Sequence, residues 1–290
     1  MVKEIFVKSI LNKHRKRDVW FLDDYSLNPY QFCDFNCIYC YIRGSKYGGN
    51  MRQGLAVKIN APVLLEKELL RRAKRKEYGF IALSSATEPW MHIERKYELT
   101  RKCLRIIAKF RFPVHCLTKS TLVLRDLDLL KEIDKNAILP KDLSKLGHGV
   151  LITFSLSILD EKIAKIFEPN APKPRERLET LQKVKEEGFY AGVALIPVLP
   201  FISDSPEQIE EMIKTAKEYR ADYVFVGALT LYGIGKELYY KVLRRYFPEL
   251  LPRYKMLFKI FNQPNRVYRL ELERRAMKLC EKYGIKYRLL

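Results

Sequence analysis

Cys33, Cys37 and Cys40 lie within FCDFNCIYCY, and this C-x3-C-x2-C spacing offers three thiolates to a metal centre from one short loop. Iron–sulfur clusters of the four-iron type are usually held by four cysteines, so three leave one iron open to an outside ligand. The rival is a tetrahedral zinc site, which needs a fourth ligand from His14, His92 or a distant cysteine. A disulfide is the remaining option for cysteines this close. The opening MVKEIFVKSI has no small-residue cleavage site, and the 290 residues hold only six cysteines. Both features predict a reducing, cytoplasmic setting. The other cysteines read as buried packing: Cys103 shares a helix face with Leu99 and Ile107, Cys280 follows Ala276 and Met277, and Cys116 faces a helix from an alternating strand.

The elements that must position this loop follow a regular rhythm. Strand-like runs at 23–28, 79–85, 112–118, 149–156, 190–196 and 222–228 alternate with amphipathic helical runs at 61–77, 94–110, 121–135, 173–188 and 205–219. Leu64, Leu65, Leu69, Leu70 and Ala73 show the helical period, and Pro62, Pro174 and Pro206 fall near helix starts. Successive βα units predict an α/β fold, specifically a partial (β/α)6 TIM-like barrel with a helical, basic C-terminal extension. The expected division is a basic lead-in over 1–20, the partial barrel over 21–234 and the extension over 235–290. Functional residues of parallel barrels gather where strands end. The cysteine loop follows the first strand and so belongs at that mouth.

The formal charge is +20, from 54 Lys and Arg against 34 Asp and Glu. Residues 236–290 hold 15 basic and 5 acidic side chains, a net +10, so the excess is concentrated there. Such a surface predicts a polyanionic partner, nucleic acid first; no apolar run is long enough to span a bilayer, and no membrane partner is expected. Scarce Gln is in keeping with a thermophile, but thermal adaptation raises both signs of charge. Eight aromatics are interleaved in the basic segment: Tyr239, Tyr240, Tyr246, Phe247, Tyr254, Phe258, Phe261 and Tyr268. They are either platforms for unpaired bases or, with Leu251 and Leu257 at helical spacing, a core stripe.

The segments SLNPYQFCDFNCIYCY, VKINAPVLLEKEL, ATEPWMHIERKYELTRKCL, FPVHCLTKSTLVLRDLDLL, ITFSLSILDEKIAKIFEPNAPKPRERLETL and VALIPVLPFISDS together resemble the spore photoproduct lyase-like branch of the radical S-adenosylmethionine superfamily, over about residues 20–230. The resemblance implies a [4Fe-4S] cluster on Cys33, Cys37 and Cys40. S-adenosylmethionine would bind at the open iron and be cleaved to a 5′-deoxyadenosyl radical by an electron from a donor partner. By the same resemblance Tyr39 would pack near the adenine or the cluster, and Ala86, Thr87 and Glu88 would face the methionine amine. Lys119 would pair with the methionine carboxylate, a role that suits a compact ammonium; a solvated lysine is the alternative. Ser155 would meet the ribose or carboxylate, unless it bonds internally beside Thr153 and Ser157. Val198, with Leu199 and Pro200, would wall the adenine. Within EPNAPKPRERL, Arg177 either clamps an anion or pairs with Glu168.

One departure concerns the substrate side. The lyases place a hydrogen-donating cysteine shortly after the second strand, where this chain reads SSATEP. Serine cannot take over, because its O–H bond is too strong to give hydrogen readily to a carbon radical. Tyr41 matches the tyrosine that partners that cysteine and is the expected catalytic residue. The leading expectation is a radical enzyme acting on nucleic acid, in repair or modification. The alternatives are the same chemistry on a protein or small molecule, and a non-catalytic, zinc-containing nucleic-acid-binding protein.

Overall fold

The computed structural model describes residues 2–45, 48 and 54–290. Its lead-in strands are β1 (Lys3–Ile5) and β2 (Leu11–Lys13), followed by β3 (Asp23–Leu27), β4 (Tyr30–Gln31) and β5 (Ala56–Lys58). Then come α1 (Ala61–Lys74), β6 (Phe80–Leu83), α2 (Glu94–Tyr97), α3 (Leu99–Phe110), β7 (Val114–Thr118) and α4 (Leu127–Asn136). Next are β8 (Val150–Ser155), α5 (Glu161–Phe167), α6 (Pro174–Glu186), β9 (Tyr190–Val198), α7 (Pro206–Glu218) and β10 (Tyr223–Ala228). The chain finishes with α8 (Gly233–Tyr246), α9 (Leu251–Leu257), α10 (Arg266–Lys282) and β11 (Lys286–Tyr287).

The main sheet has eight strands in the order β11-β10-β9-β8-β7-β6-β3-β2, and it is open, with β2 and β11 at its edges. Every neighbour pair in it is parallel except β2 with β3. Strands covered on both faces need largely apolar side chains; FIAL of β6 is wholly apolar and buried, and in VLITF of β8, also buried throughout, the one polar side chain, Thr153, is hydrogen-bonded to His115 and Tyr223. The larger core lies between the sheet and its helices, where Leu65, Leu104, Ile107, Leu130, Leu181 and Ile213 meet. A second cluster on the other face joins Leu22, Phe80, Leu151, Tyr190, Tyr223 and Phe225. A third joins Tyr39 of the cysteine loop to Phe167, Leu199, Tyr239, Tyr254 and Phe258. A smaller sheet, β1-β5-β4, stands beside these. Among the described residues no helix is long and apolar enough to cross a membrane.

Four local expectations change. The helix expected over 94–110 breaks at Glu98, whose φ of 49° is left-handed, giving α2 and α3. The run expected over 121–135 opens as a 3-10 turn, Thr121–Asp126, capped by the Ser120 hydroxyl, before α4 begins. The segment beyond 234 is not purely helical: α10 packs on β10 and α7, and β11 adds a strand beside β10. Of the eight aromatics in that segment, Tyr239, Tyr254 and Phe258 are fully buried and only Tyr246 and Phe261 are exposed. The core-stripe reading therefore holds for most of them, because α8 and α9 turn that face onto the cysteine loop. Cys103, Cys116 and Cys280 are buried, as packing residues would be.

Gly192 in β9 gives Tyr223 its place. A Cβ there would lie 2.3 Å from the Tyr223 carbonyl oxygen and 2.5 Å from its ring. Gly192→Ala is expected to lower stability by about 1–3 kcal/mol, as overpacking does, read as a lower urea midpoint at unchanged slope.

Candidate active site

The cysteine loop leaves β4 through two left-handed residues, Phe32 (φ 65°) and Asn36 (φ 55°), each immediately before a motif cysteine. Asn tolerates that region, whereas Phe does so at a cost on the order of 1–3 kcal/mol, so the surroundings must hold the loop. They do so largely through backbone. Ile38 N–H donates to the Phe167 carbonyl at 2.8 Å, and Asn170 N–H to the Phe35 carbonyl at 3.3 Å. Asn170 Nδ2 donates to the Asp34 carbonyl at 2.8 Å and Arg43 Nε to the Cys37 carbonyl at 3.2 Å. Where the loop ends, a Cβ on Gly44 (φ 77°) would lie 2.5 Å from the Tyr232 carbonyl oxygen, and one on Gly235 2.7 Å from that of Arg43. Glycine at both positions lets the loop press against the start of α8.

A buried polar network fixes the loop's centre. Tyr39, between the second and third motif cysteines, donates its hydroxyl to Glu168, which pairs with the Arg177 guanidinium. Ser157 Oγ donates to the Tyr39 hydroxyl at 3.1 Å. Arg177, 1% exposed, also donates to the Pro172 carbonyl at 2.6 and 2.8 Å and to the Ser155 carbonyl at 3.1 Å. Its donors are thus taken up inside the protein, which settles the choice left by the sequence: Arg177 pairs with Glu168. Burial pushes the Glu168 carboxyl up, but the Arg177 charge, with Lys119, outweighs it and holds the group below its ordinary value of 4.5.

Cys33, Cys37 and Cys40 are half-buried free thiols facing a cavity of about 270 Å³ at the C-terminal ends of the parallel strands. Tyr39, Tyr41, Ala86, Thr87, Glu88, Lys119 and Ser155 line the same cavity. Of the residues chosen from sequence to face the cofactor, Val198, Leu199 and Pro200 are absent from the lining, and Val198 is fully buried in the core. The reason is register. Val226 of β10 pairs with Leu195 but Ala228 pairs with Val198, so β9 carries an extra residue there. Side-chain alternation flips at such a bulge, and Ile196 and Pro197 wall the cavity instead.

Lys119 Nζ donates to Ser155 Oγ at 2.6 Å and lies 5.8 Å from the Tyr39 ring centroid, while Ser155 Oγ donates to the Ile196 carbonyl at 3.1 Å. Lys119 is therefore not a solvated surface lysine. Glu88 takes Thr118 Oγ1 at 2.5 Å, Lys119 N–H at 2.9 Å and Trp90 N–H at 3.1 Å, tying the β6 and β7 ends together. Its burial raises its pKa. Tyr41, at the outer rim, donates its hydroxyl to the Ser85 carbonyl at 2.8 Å. Several lining residues were not foreseen, two of them notable. Ser84, left-handed at φ 63°, keeps a buried hydroxyl with no hydrogen-bond partner among the described residues, and Phe21 forms part of the wall. The SSAT run was a signal for Ser84; nothing in the sequence marked Phe21.

The donor set suits a thiolate-bound cofactor. Burial raises Cys33 well above its ordinary pKa and Cys37 to about 12, so the bare thiols keep their protons and ionise when a cation compensates them. Soft thiolates select iron–sulfur clusters or zinc. Among the described residues no three Cys, His, Asp or Glu side chains gather closely enough to hold one metal ion. His14 and His92, the expected fourth zinc ligands, face Asp23 and Asp34 and do not line the cavity. Three thiols spread around a space, with an orphaned hydroxyl across it, fit a multi-iron cluster with an adjoining ligand.

A three-cysteine loop over the ends of parallel strands defines a cluster-binding α/β protein. A family model of the radical SAM superfamily matches residues 27–216, and the chain belongs to that superfamily. Its members are enzymes that use a [4Fe-4S] cluster and S-adenosylmethionine. An uncharacterized protein of Mycobacterium tuberculosis is 29% identical over 97% of this chain and 81% of its own length. One from Methanocaldococcus jannaschii is 28% identical over 69% of each. In fold, the chain is similar to a cysteine-to-serine variant of spore photoproduct lyase, with a TM-score of 0.70 at 14% identity over 99% of this chain and 81% of that one. The lyase complexed with dinucleoside spore photoproduct gives 0.64 at 15% identity, with the same coverage.

Replacing Glu168 by Gln leaves Arg177 charged and unpaired, and should cost about 3–5 kcal/mol. Because the folded pKa is depressed, this pair contributes its stability above about pH 4.5 and loses it as pH falls through the folded value. Urea titrations at falling pH should show an acid loss in the natural protein that is diminished in Glu168→Gln.

Proposed function

We propose that this chain is a radical SAM enzyme whose cluster is held by Cys33, Cys37 and Cys40, and that its substrate is nucleic acid. The observation that carries the first half is the convergence of these thiols with Tyr39, Lys119 and Ser155 on one cavity. When bound, the cluster and S-adenosylmethionine supply a 5′-deoxyadenosyl radical by reductive cleavage of the sulfonium, with the electron coming from a donor protein. In this reading the parallel strands form a partial barrel whose mouth carries the site, residues 21–234 do the chemistry, and 235–290 brace the loop and present positive charge.

The residues then have definite tasks. Lys119, held by Ser155, neutralises the methionine carboxylate; Ser155 orients that ammonium and faces the ribose. Ala86 and Thr87 offer backbone and hydroxyl to the methionine amine, and Ser84 gives an otherwise unpaired hydroxyl to the polar end. Glu88 holds the strand ends that present them. Ile196 and Pro197 wall the adenine, the role first assigned to Val198. Phe21 and Leu117 keep water from the reacting carbon. Tyr41, at the rim, is the side chain placed to meet a substrate.

Among the described residues no cysteine beyond the motif lines the cavity. Hydrogen return by a thiol, the lyase's device, is therefore not part of this reading, and repair of a thymine lesion by that route is not proposed. The nucleic-acid half rests on the net +10 over 236–290. Burial of Tyr239, Tyr254 and Phe258 removes most of the stacking platform and favours a second reading, the same chemistry on a peptide or small molecule. A zinc-binding module is disfavoured by the lack of a single-ion ligand set among the described residues.

Anaerobic reconstitution should give about four irons per chain, and dithionite should then convert S-adenosylmethionine to 5′-deoxyadenosine; intact cofactor would contradict the proposal. Cys37→Ala should abolish both colour and cleavage. Lys119→Ala should keep its iron and bind S-adenosylmethionine about tenfold more weakly, the loss of one charge-assisted contact, measured by equilibrium dialysis.

A further inference from the structure

Beside the cavity lies a second chamber of about 630 Å³. The two share Phe21, Tyr41, Ser85, Leu117, Ile196, Ala228 and Thr230 as walls, so they form one space with a collar between them. The inner part holds the thiols and Lys119. The outer part is bounded by α10, which contributes Arg266 and Arg269.

Those two arginines are three residues apart on one helix, so their side chains are neighbours. Both are exposed, and among the described residues neither has a carboxylate partner. The chamber's own carboxylates are already engaged. Asp18 accepts the Trp20 N–H at 2.7 Å and the Phe21 N–H at 2.9 Å. Glu273 pairs with Arg288 and takes the Tyr287 hydroxyl at 3.3 Å. The Arg288 guanidinium lies 5.5 Å from the Trp20 ring centroid, and Phe225 meets that ring edge-on at 6.2 Å, which fixes the indole in the chamber wall. Two uncompensated guanidiniums thus stand opposite a held aromatic, with the reacting cavity behind them.

Resting on the nucleic-acid reading above, we infer that the outer chamber receives one unstacked nucleotide, its phosphate between Arg266 and Arg269 and its base toward Trp20 and Phe21. Guanidiniums clamp phosphate oxygens bidentately, and an indole face accepts any base. The thiols and Lys119 lie behind the collar, so in this assignment the target nucleotide enters single-stranded or extruded from a duplex.

The test is fluorescence anisotropy of a short labelled single-stranded oligonucleotide on the reconstituted protein with S-adenosylmethionine, across a salt series. Arg266→Ala and Arg269→Ala should each weaken binding about tenfold and lower the slope of log affinity against log salt by about 0.7. Arg274→Ala removes the same charge from the same helix outside the chamber, and should change affinity less than about twofold. The matching duplex should bind more weakly than the single strand. Equal losses in all three variants would overturn the chamber assignment and leave a general basic surface. No binding by protein that still cleaves its cofactor would overturn it and leave the radical chemistry standing. Polyglutamate binding with the same dependence on Arg266 and Arg269 would overturn it in favour of an acidic peptide.

Discussion

A guanidinium sealed inside the protein organises the site. Arg177 reaches Glu168, which receives the Tyr39 hydroxyl from the middle of the cysteine loop, and it also reaches the Ser155 carbonyl at the end of β8. Ser155 in turn takes the Lys119 ammonium. One buried cation therefore couples the loop carrying the thiols to the strand ends carrying Ser155 and Lys119, which line the same cavity. Buried pairs of this kind add little net stability, because desolvation offsets attraction, but breaking one is costly. The network's contribution is then to conformation: few alternative loop arrangements keep every donor of Arg177 and both oxygens of Glu168 satisfied.

The loop is held from three other directions. The 167–170 segment supplies backbone bonds, Gly44 and Gly235 permit close approach to α8, and aromatics of α8 and α9 close a core behind Tyr39. Such support is what a loop containing a left-handed phenylalanine requires. It also gives the segment beyond 234 a structural task in the site, apart from its charge. Function on loops positioned by rigid elements is a general pattern, and here the rigidity comes from segments more than a hundred residues further along the chain.

Much of this was legible in the sequence. The six parallel strands and their helices follow from apolar runs alternating with helical periodicity, and the three cysteines with Tyr39, Tyr41, Ala86, Thr87, Glu88, Lys119 and Ser155 meet in one cavity because strand ends and motif loop converge there. What escaped depends on long-range geometry. Val198 was misplaced because a bulge between β9 and β10 shifts parity, and periodicity alone cannot register an extra residue. The two-residue β11 is too short to leave a pattern. The aromatics of α8 and α9 fit a helix face and a stacking platform equally well until the partner surface, the cysteine loop itself, is known. Arg177 had two roles open to it, and only the position of Glu168 in space decided between them.

The central claim is that a three-cysteine cluster keeps one iron available to S-adenosylmethionine inside this cavity. The most direct measurement is the electron paramagnetic resonance spectrum of oxygen-free, dithionite-reduced protein before and after S-adenosylmethionine is added. The account predicts a reduced-cluster signal whose g-values shift on addition and that broadens further when the cofactor carries 17O in its carboxylate. A signal that neither shifts nor broadens would show the iron closed to the cofactor and contradict the account.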